Sequence, residues 1–187
     1  MTKSQADVVR TALEILDEHG AEAVSMRAIA HRLDVRMNTV LWHVKTKARL
    51  EELMADAIVA GVSLSGLPRD GRERAAEIAR RYRRALLAHR DGAAVVAGTY
   101  AAEPATLDTA EALVAALLDG GMAEREAAWT CWSLIYFVLG LAQEEQASPD
   151  GSRVPEVGER ASLRRVLPFL TEEFDGRFEF GVAKLLA

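Results

Sequence analysis

Between Ser25 and Lys47 the chain reads SMRAIAHRLDVRMNTVLWHVKTK, and its polar side chains could recognise nucleic acid. Arg36, Met37, Asn38, Thr39 and His43 fall on what should be the outer side of one short helix, residues 36–44. Arg, Asn and Thr can hydrogen-bond base edges in a major groove or hold phosphate oxygens. Lys47 follows at the start of the next helix, where a cation beside the N-terminus suits a phosphate. The same residues could also form only the solvated side of a small helical hairpin.

That polar surface needs elements to carry it. Ser25 can N-cap a preceding helix, because its hydroxyl can accept an orphan backbone N–H. Ile29, Ala30 and Leu33 recur at helical spacing behind it, and Val35 and Val40 can anchor the second helix against the first. The turn between them is Leu33-Asp34-Val35. Glycine often occupies such a turn because the backbone goes through positive φ, a region Asp tolerates better than most residues. A first helix over 4–19, with an N-cap arrangement at Ser4 and Asp7 and a stop at Gly20, would floor this pair.

Composition fits recognition confined to one end. The 187 residues carry a net charge of −5, which argues against an indiscriminate nucleic-acid binder. Residues 1–50 hold 8 Lys and Arg against 6 Asp and Glu, and the remainder 15 against 22. A single cysteine, Cys131, excludes an internal disulfide framework. The N-terminus is polar, and the longest apolar run, 129–142, is too short to span a bilayer, so a cytoplasmic soluble protein with no membrane partner is expected.

The rest of the chain reads as helices. The expected ranges are 47–62, from a Thr46 cap; a helix reaching about residue 89, capped by Asp70 with Glu73; a short one between Gly92 and Gly98; 106–118; 123–146; 160–174, divided or kinked by Pro168; and 178–186. Arg80, Arg81, Arg83 and Arg84 form a basic cluster that could touch DNA, but a solvated face or ion pairs with glutamates fits it better. The 123–146 helix is apolar nearly all round, which calls for burial on several sides and hence a subunit interface. It and the last helix would form a four-helix bundle with their symmetry mates.

The block from Ser25 to Lys47, with its Leu41-Trp42-His43-Val44-Lys45 run, resembles the DNA-binding domain of the tetracycline-repressor (TetR) family. The HRDGA…GT, FVLG…EEQ and C-terminal F-x-F-G segments are similar to the ligand-binding body of the same family. The resemblance implies an all-α fold: a three-helix helix-turn-helix head over residues 1–47, and a ligand-binding and dimerisation body over 48–187, with the 47–62 helix as connector. It implies a homodimeric, non-enzymatic regulator, a repressor released from a near-palindromic double-stranded operator by a small molecule. A dimeric ligand-binding module that no longer touches DNA is the alternative. DNA contact falls to Ser25, Arg27, Arg36, Met37, Asn38, Thr39, Trp42, His43 and Lys47. Asp34 departs from the family's usual Gly, and Leu41 from its usual DNA-contacting Tyr.

The pocket departs further. Val96 stands where tetracycline-binding members carry a metal-binding histidine, Ile78 and Leu113 where they carry drug-holding amides, and Ser63 where they carry a second histidine. Tyr82, Thr99 and Glu144 remain. No metal or other cofactor is therefore expected, and magnesium–tetracycline is a poor fit. A more apolar or aromatic effector against Tyr82, Val96, Leu113, Tyr100, Trp132 and Tyr136 is one reading; simple core filling by the same residues is the other. His89, Glu144 and Glu145 are isolated polar residues without the nucleophile–base spacing of an enzyme.

Overall fold

A computed structural model describes residues 3–99, 102–147, 156–169 and 173–187, and among these every regular element is helical. The chain begins with α1 (Gln5–His19), whose N-terminus is a capping box: the Ser4 hydroxyl accepts from the Asp7 amide, and the Asp7 carboxylate accepts from the Ser4 amide. α2 (Met26–Arg32) and α3 (Met37–Val44) pack on each other and on α1, and α4 (Lys47–Val59) leaves the head from a Thr46 cap. Val8, Ala12, Ile15, Leu16, Ile29, Val40, Val44 and Leu50 supply the head's buried apolar core.

The body is α5 (Gly71–Leu87), α7 (Pro104–Asp119), α8 (Glu124–Ala147) and α10 (Phe174–Leu185), with the short α6 (Gly92–Ala97) wedged between α4 and α8. α5 begins against the end of α7 so closely that a Cβ on Gly71 would stand 2.4 Å from the Gly120 amide nitrogen. α8 and α10 approach through Gly181, where a Cβ would meet the Phe137 ring at 2.1 Å. Gln146 stitches α8 to the α5–α6 turn: its amide donates to the Leu86 and His89 carbonyls, and its carbonyl accepts from the Ala93 amide.

Several boundaries differ from the sequence reading. α4 stops at Val59, because Gly61 and Val62 turn back on the Ile58 and Val59 carbonyls. α7 starts earlier than expected, with Pro104 in its first turn, where the missing N–H costs nothing. The helix expected over 160–174 is divided at Pro168, as its proline implies: α9 (Ala161–Val166) gives way to a 3-10 turn, Leu167–Phe169, and residues 170–172 lie outside the described residues. Phe174 instead opens α10, which begins a turn before the expected 178.

α8 presents two apolar faces. Ala127, Cys131, Leu134, Val138 and Leu141 pack inward, and burial pushes the Cys131 thiol up from its ordinary pKa. Trp129, Trp132 and Tyr136 are exposed on its other side, as is Phe180 on α10. None of the described helices is long and apolar enough to cross a membrane.

Candidate functional site

The α2–α3 unit is set by local hydrogen bonds. The Ser25 hydroxyl accepts from the Ala28 amide at 3.2 Å and so fixes the start of α2. At the turn Asp34 adopts φ 52°, the left-handed conformation, while the Val35 amide donates to the Ala30 carbonyl. Asp34 thus does the conformational job of a glycine. Arg36 then enters α3 with extended backbone, and its guanidinium has no hydrogen-bond or ion-pair partner among the described residues.

The burial pattern of α3 has one inward and one outward side. Val40 and Val44 are fully buried, whereas Trp42 is 70 % exposed and Met37 and Asn38 lie open. Thr39, Leu41 and His43 sit at the edges, half-buried. The Gln5 amide donates to the His43 carbonyl at 2.9 Å and ties α3 to α1. Ser25, Arg27 and Arg36 are exposed as well, and neither arginine meets a carboxylate among the described residues. Arg10, Arg32 and Arg49 on other sides of the head are all paired, to Asp7, Glu18 and Glu103. Lys47 is exposed and lies 3.5 Å from Glu51. Lys45 belongs with this group, although its type alone did not single it out. It takes φ 62° between α3 and α4 and holds its ammonium 5.7 Å from the Trp42 ring centre.

Two polar seams fix the head and the connecting α4 to the body. At the first, Asp17 accepts from the Arg90 amide and lies 3.0 Å from His89 Nδ1, while the Ala21 amide donates to Asp91 at 2.9 Å. At the second, Arg49 of α4 grips Glu103, which holds that carboxyl below its ordinary pKa, and Asp56 accepts from both the amide and the hydroxyl of Thr106.

Beneath α4 lies a cavity of about 540 Å³ between α5, α6, α7 and α8. It collects Ile78, Tyr82, Val96, Thr99, Leu113, Trp132 and Tyr136, seven of the residues singled out from the sequence. α4 contributes Ala55 and Val59 directly. Trp132 and Tyr136 stack with ring centres 5.6 Å apart and planes at 24°. Tyr82 is 8 % exposed, and burial raises its phenol pKa and keeps it neutral. Thr99 spends its hydroxyl on the Val96 carbonyl.

Two expected residues lie elsewhere. Ser63 follows the early end of α4 into a separate shallow cleft, where its carbonyl accepts from Arg81 and its hydroxyl meets Ser65. Glu144 faces outward and pairs with Arg177 at 3.2 Å; its neighbour Gln143 lines the cavity instead. Tyr100 lies outside the described residues. The sequence reading missed Thr106, Thr109 and Gln143. Thr109 stands one turn before Leu113 on α7, so extending that face by a turn finds it. The α5 arginines are all paired: Arg80 with Glu179, Arg81 and Arg84 with Glu77, and Arg83 with Glu145 and Asp175.

Comparison with known proteins bears on both regions. A family profile described as "Bacterial regulatory proteins, tetR family" matches residues 8–53, and one described as "Tetracyclin repressor-like, C-terminal domain" matches residues 67–187. The tetracycline repressor protein class A from transposon 1721 of Escherichia coli is 35% identical over 100% of this chain and 90% of its own length. Among solved structures, the Streptomyces coelicolor TetR family protein ActR, in complex with (S)-DNPA, aligns with a TM-score of 0.89 at 27% identity, covering 100% of this chain and 96% of that one. BioQ with its natural double-stranded DNA operator aligns with a TM-score of 0.71 at 30% identity, covering 93% and 97%.

Proposed function

The chain belongs to the tetracycline-repressor family, and from that premise we propose that it is a cytoplasmic, homodimeric transcriptional repressor whose operator binding is controlled by a small molecule. Residues 1–47 form the DNA-reading head and 48–187 the effector and dimerisation body. Arg36, Met37, Asn38, Thr39, Trp42 and His43 face the major groove, and Ser25, Arg27 and Lys47 hold backbone phosphates. The observation that carries this reading is the α3 surface: an exposed polar helix beside two arginines with no carboxylate partner among the described residues. The relatives support it, because BioQ is seen with operator DNA and ActR with a small molecule.

Trp129 and Phe180, exposed and outside the cavity lining, supply apolar surface through which α8 and α10 pair with a second copy. Two identical heads then require a near-palindromic operator with half-sites about one helical turn apart, roughly 34–36 Å. α4 both lines the cavity and leads out of α3, so an effector that prefers a different α4 position favours a dimer whose heads no longer match the groove.

A mobility-shift titration of the purified protein on the DNA upstream of its own coding region, repeated over a salt series, tests the reading. The expected result is a shifted complex that weakens steeply with salt. A protein that binds small molecules yet shifts no fragment at low salt is a DNA-silent module instead.

A further inference from the structure

We infer that the cavity takes an uncharged, fused-ring aromatic molecule bearing carbonyl acceptors, bound without a metal ion. The inference rests on the reading above that this cavity is the effector site, and it assigns that effector a chemical class.

Charge is the first constraint. Among the described residues no Asp, Glu, Lys, Arg or His lines the cavity. Asp56, behind the wall at Thr106, already accepts two hydrogen bonds from that residue. A charged ligand would leave water and find no counter-charge, which is the costly way to bury an ion. A ligand that must arrive chelated to a divalent cation meets the same difficulty. Val96 offers no nitrogen or oxygen on its side chain, and the hard cations want several oxygen ligands.

Unspent hydrogen-bonding groups are the second. The Tyr82 and Thr109 hydroxyls both line the cavity, on residues 8 % and 9 % exposed, and neither has a hydrogen-bond partner among the described residues. Buried hydroxyls are ordinarily paired, so two left open at one cavity mark places for a ligand's acceptors. Burial keeps the Tyr82 phenol protonated and hence a donor. Quinone or ketone oxygens fit such donors.

Shape is the third. The Trp132–Tyr136 pair forms an aromatic wall, and Ile78 and Leu113 add aliphatic lining. At about 540 Å³ the cavity lies within the range of drug-sized sites, about 300–1,000 Å³. A planar ring system uses such walls better than a flexible acyl chain, because it loses little conformational freedom on binding.

Calorimetry with 1,8-dihydroxyanthraquinone as the probe, in EDTA and at slightly acid pH where its phenols stay protonated, tests the inference. Ethidium (a planar cation), hexadecanoate (an acyl anion) and tetracycline with Mg²⁺ are the comparators. The anthraquinone is expected to bind in the micromolar range regardless of EDTA and more tightly than the comparators. Tyr82→Phe should weaken it roughly tenfold, and Leu113→Trp, which fills the cavity, should abolish it; thermal melts establish that each variant is folded. Where Leu113→Trp fails to fold, Thr109→Val, nearly the same size, should weaken binding several-fold. Absent anthraquinone binding, a requirement for Mg²⁺, tighter binding of a comparator, or unchanged affinity in folded Tyr82→Phe each overturns the inference. Operator binding by the ligand-free protein from the same preparation is read separately. Its loss contradicts the regulator reading, whereas loss of anthraquinone binding alone contradicts only the effector class.

Discussion

Arginines stand in two quite different settings in this molecule. Along α5, Arg80, Arg81, Arg83 and Arg84 make the densest basic run in the sequence, yet each is neutralised by a glutamate or aspartate of the body. Beside α3, Arg27 and Arg36 are fewer and face no described carboxylate. Both groups have the same charge per residue, but only the second offers it to an outside anion. Pairing, rather than the number of basic residues, locates the surface suited to a polyanion.

Substitutions can break or sharpen this contrast. The largest effect is expected for Arg36→Ala, which should lower operator affinity by about 1–3 kcal/mol, roughly 5–150-fold, in a mobility shift. Effector affinity by calorimetry should stay as it was; equal operator affinity in both proteins would refute the assignment. Arg83→Ala should act on stability. It removes a largely buried guanidinium that bonds Glu145 at 3.0 Å and lies over the Phe178 ring, and it should cost about 2 kcal/mol in denaturant melts.

Asp34→Val should destabilise the head by about 1–2 kcal/mol, because a β-branched residue resists the φ of 52°. Asp34→Gly should stay within about 0.5 kcal/mol, since conformational ease offsets added chain entropy. Arg84→Ala, at an exposed pair, should change both melting and operator affinity by less than about 0.5 kcal/mol. A marked loss of operator binding there would erase the distinction between the two arginine groups.

The smallest effect concerns pH. Asp7 is held at about 2, below its ordinary 3.8, chiefly because the Ser4 amide and hydroxyl donate to its carboxylate. The folded state favours the charged form, so the α1 cap contributes in full above about pH 3.8 and is lost as pH falls toward 2. Far-ultraviolet dichroism should show α1 fraying in that window for the parent and no such step for Asp7→Asn.

What could be read from sequence divides along physical lines. Ser4, Ser25, Thr46 and Asp70 each announce a helix start, because a cap is a contact between residues three apart. The outward side of α3 was readable in part: Arg36, Met37 and Asn38 lie open and Val40 is buried, whereas Thr39 and His43 are half-buried at its edges. The cavity was harder. Whether Glu144 or Gln143 points inward depends on a rotation of one residue, about 100° on a helix, set by how α8 packs on α5 and α10. Ser63 missed the cavity because Gly61 ended α4 early. The Asp56–Thr106 and Asp17–His89 seams join residues 50 and 72 positions apart, and no local pattern couples them.

Enrichment of bound sequences from a pool of random duplexes is the most direct check on the paired reading heads. The account predicts a two-fold symmetric consensus with half-sites about one helical turn apart, occupied by two protomers. Failure to enrich any sequence, or enrichment of a single asymmetric site held by one protomer, would contradict it.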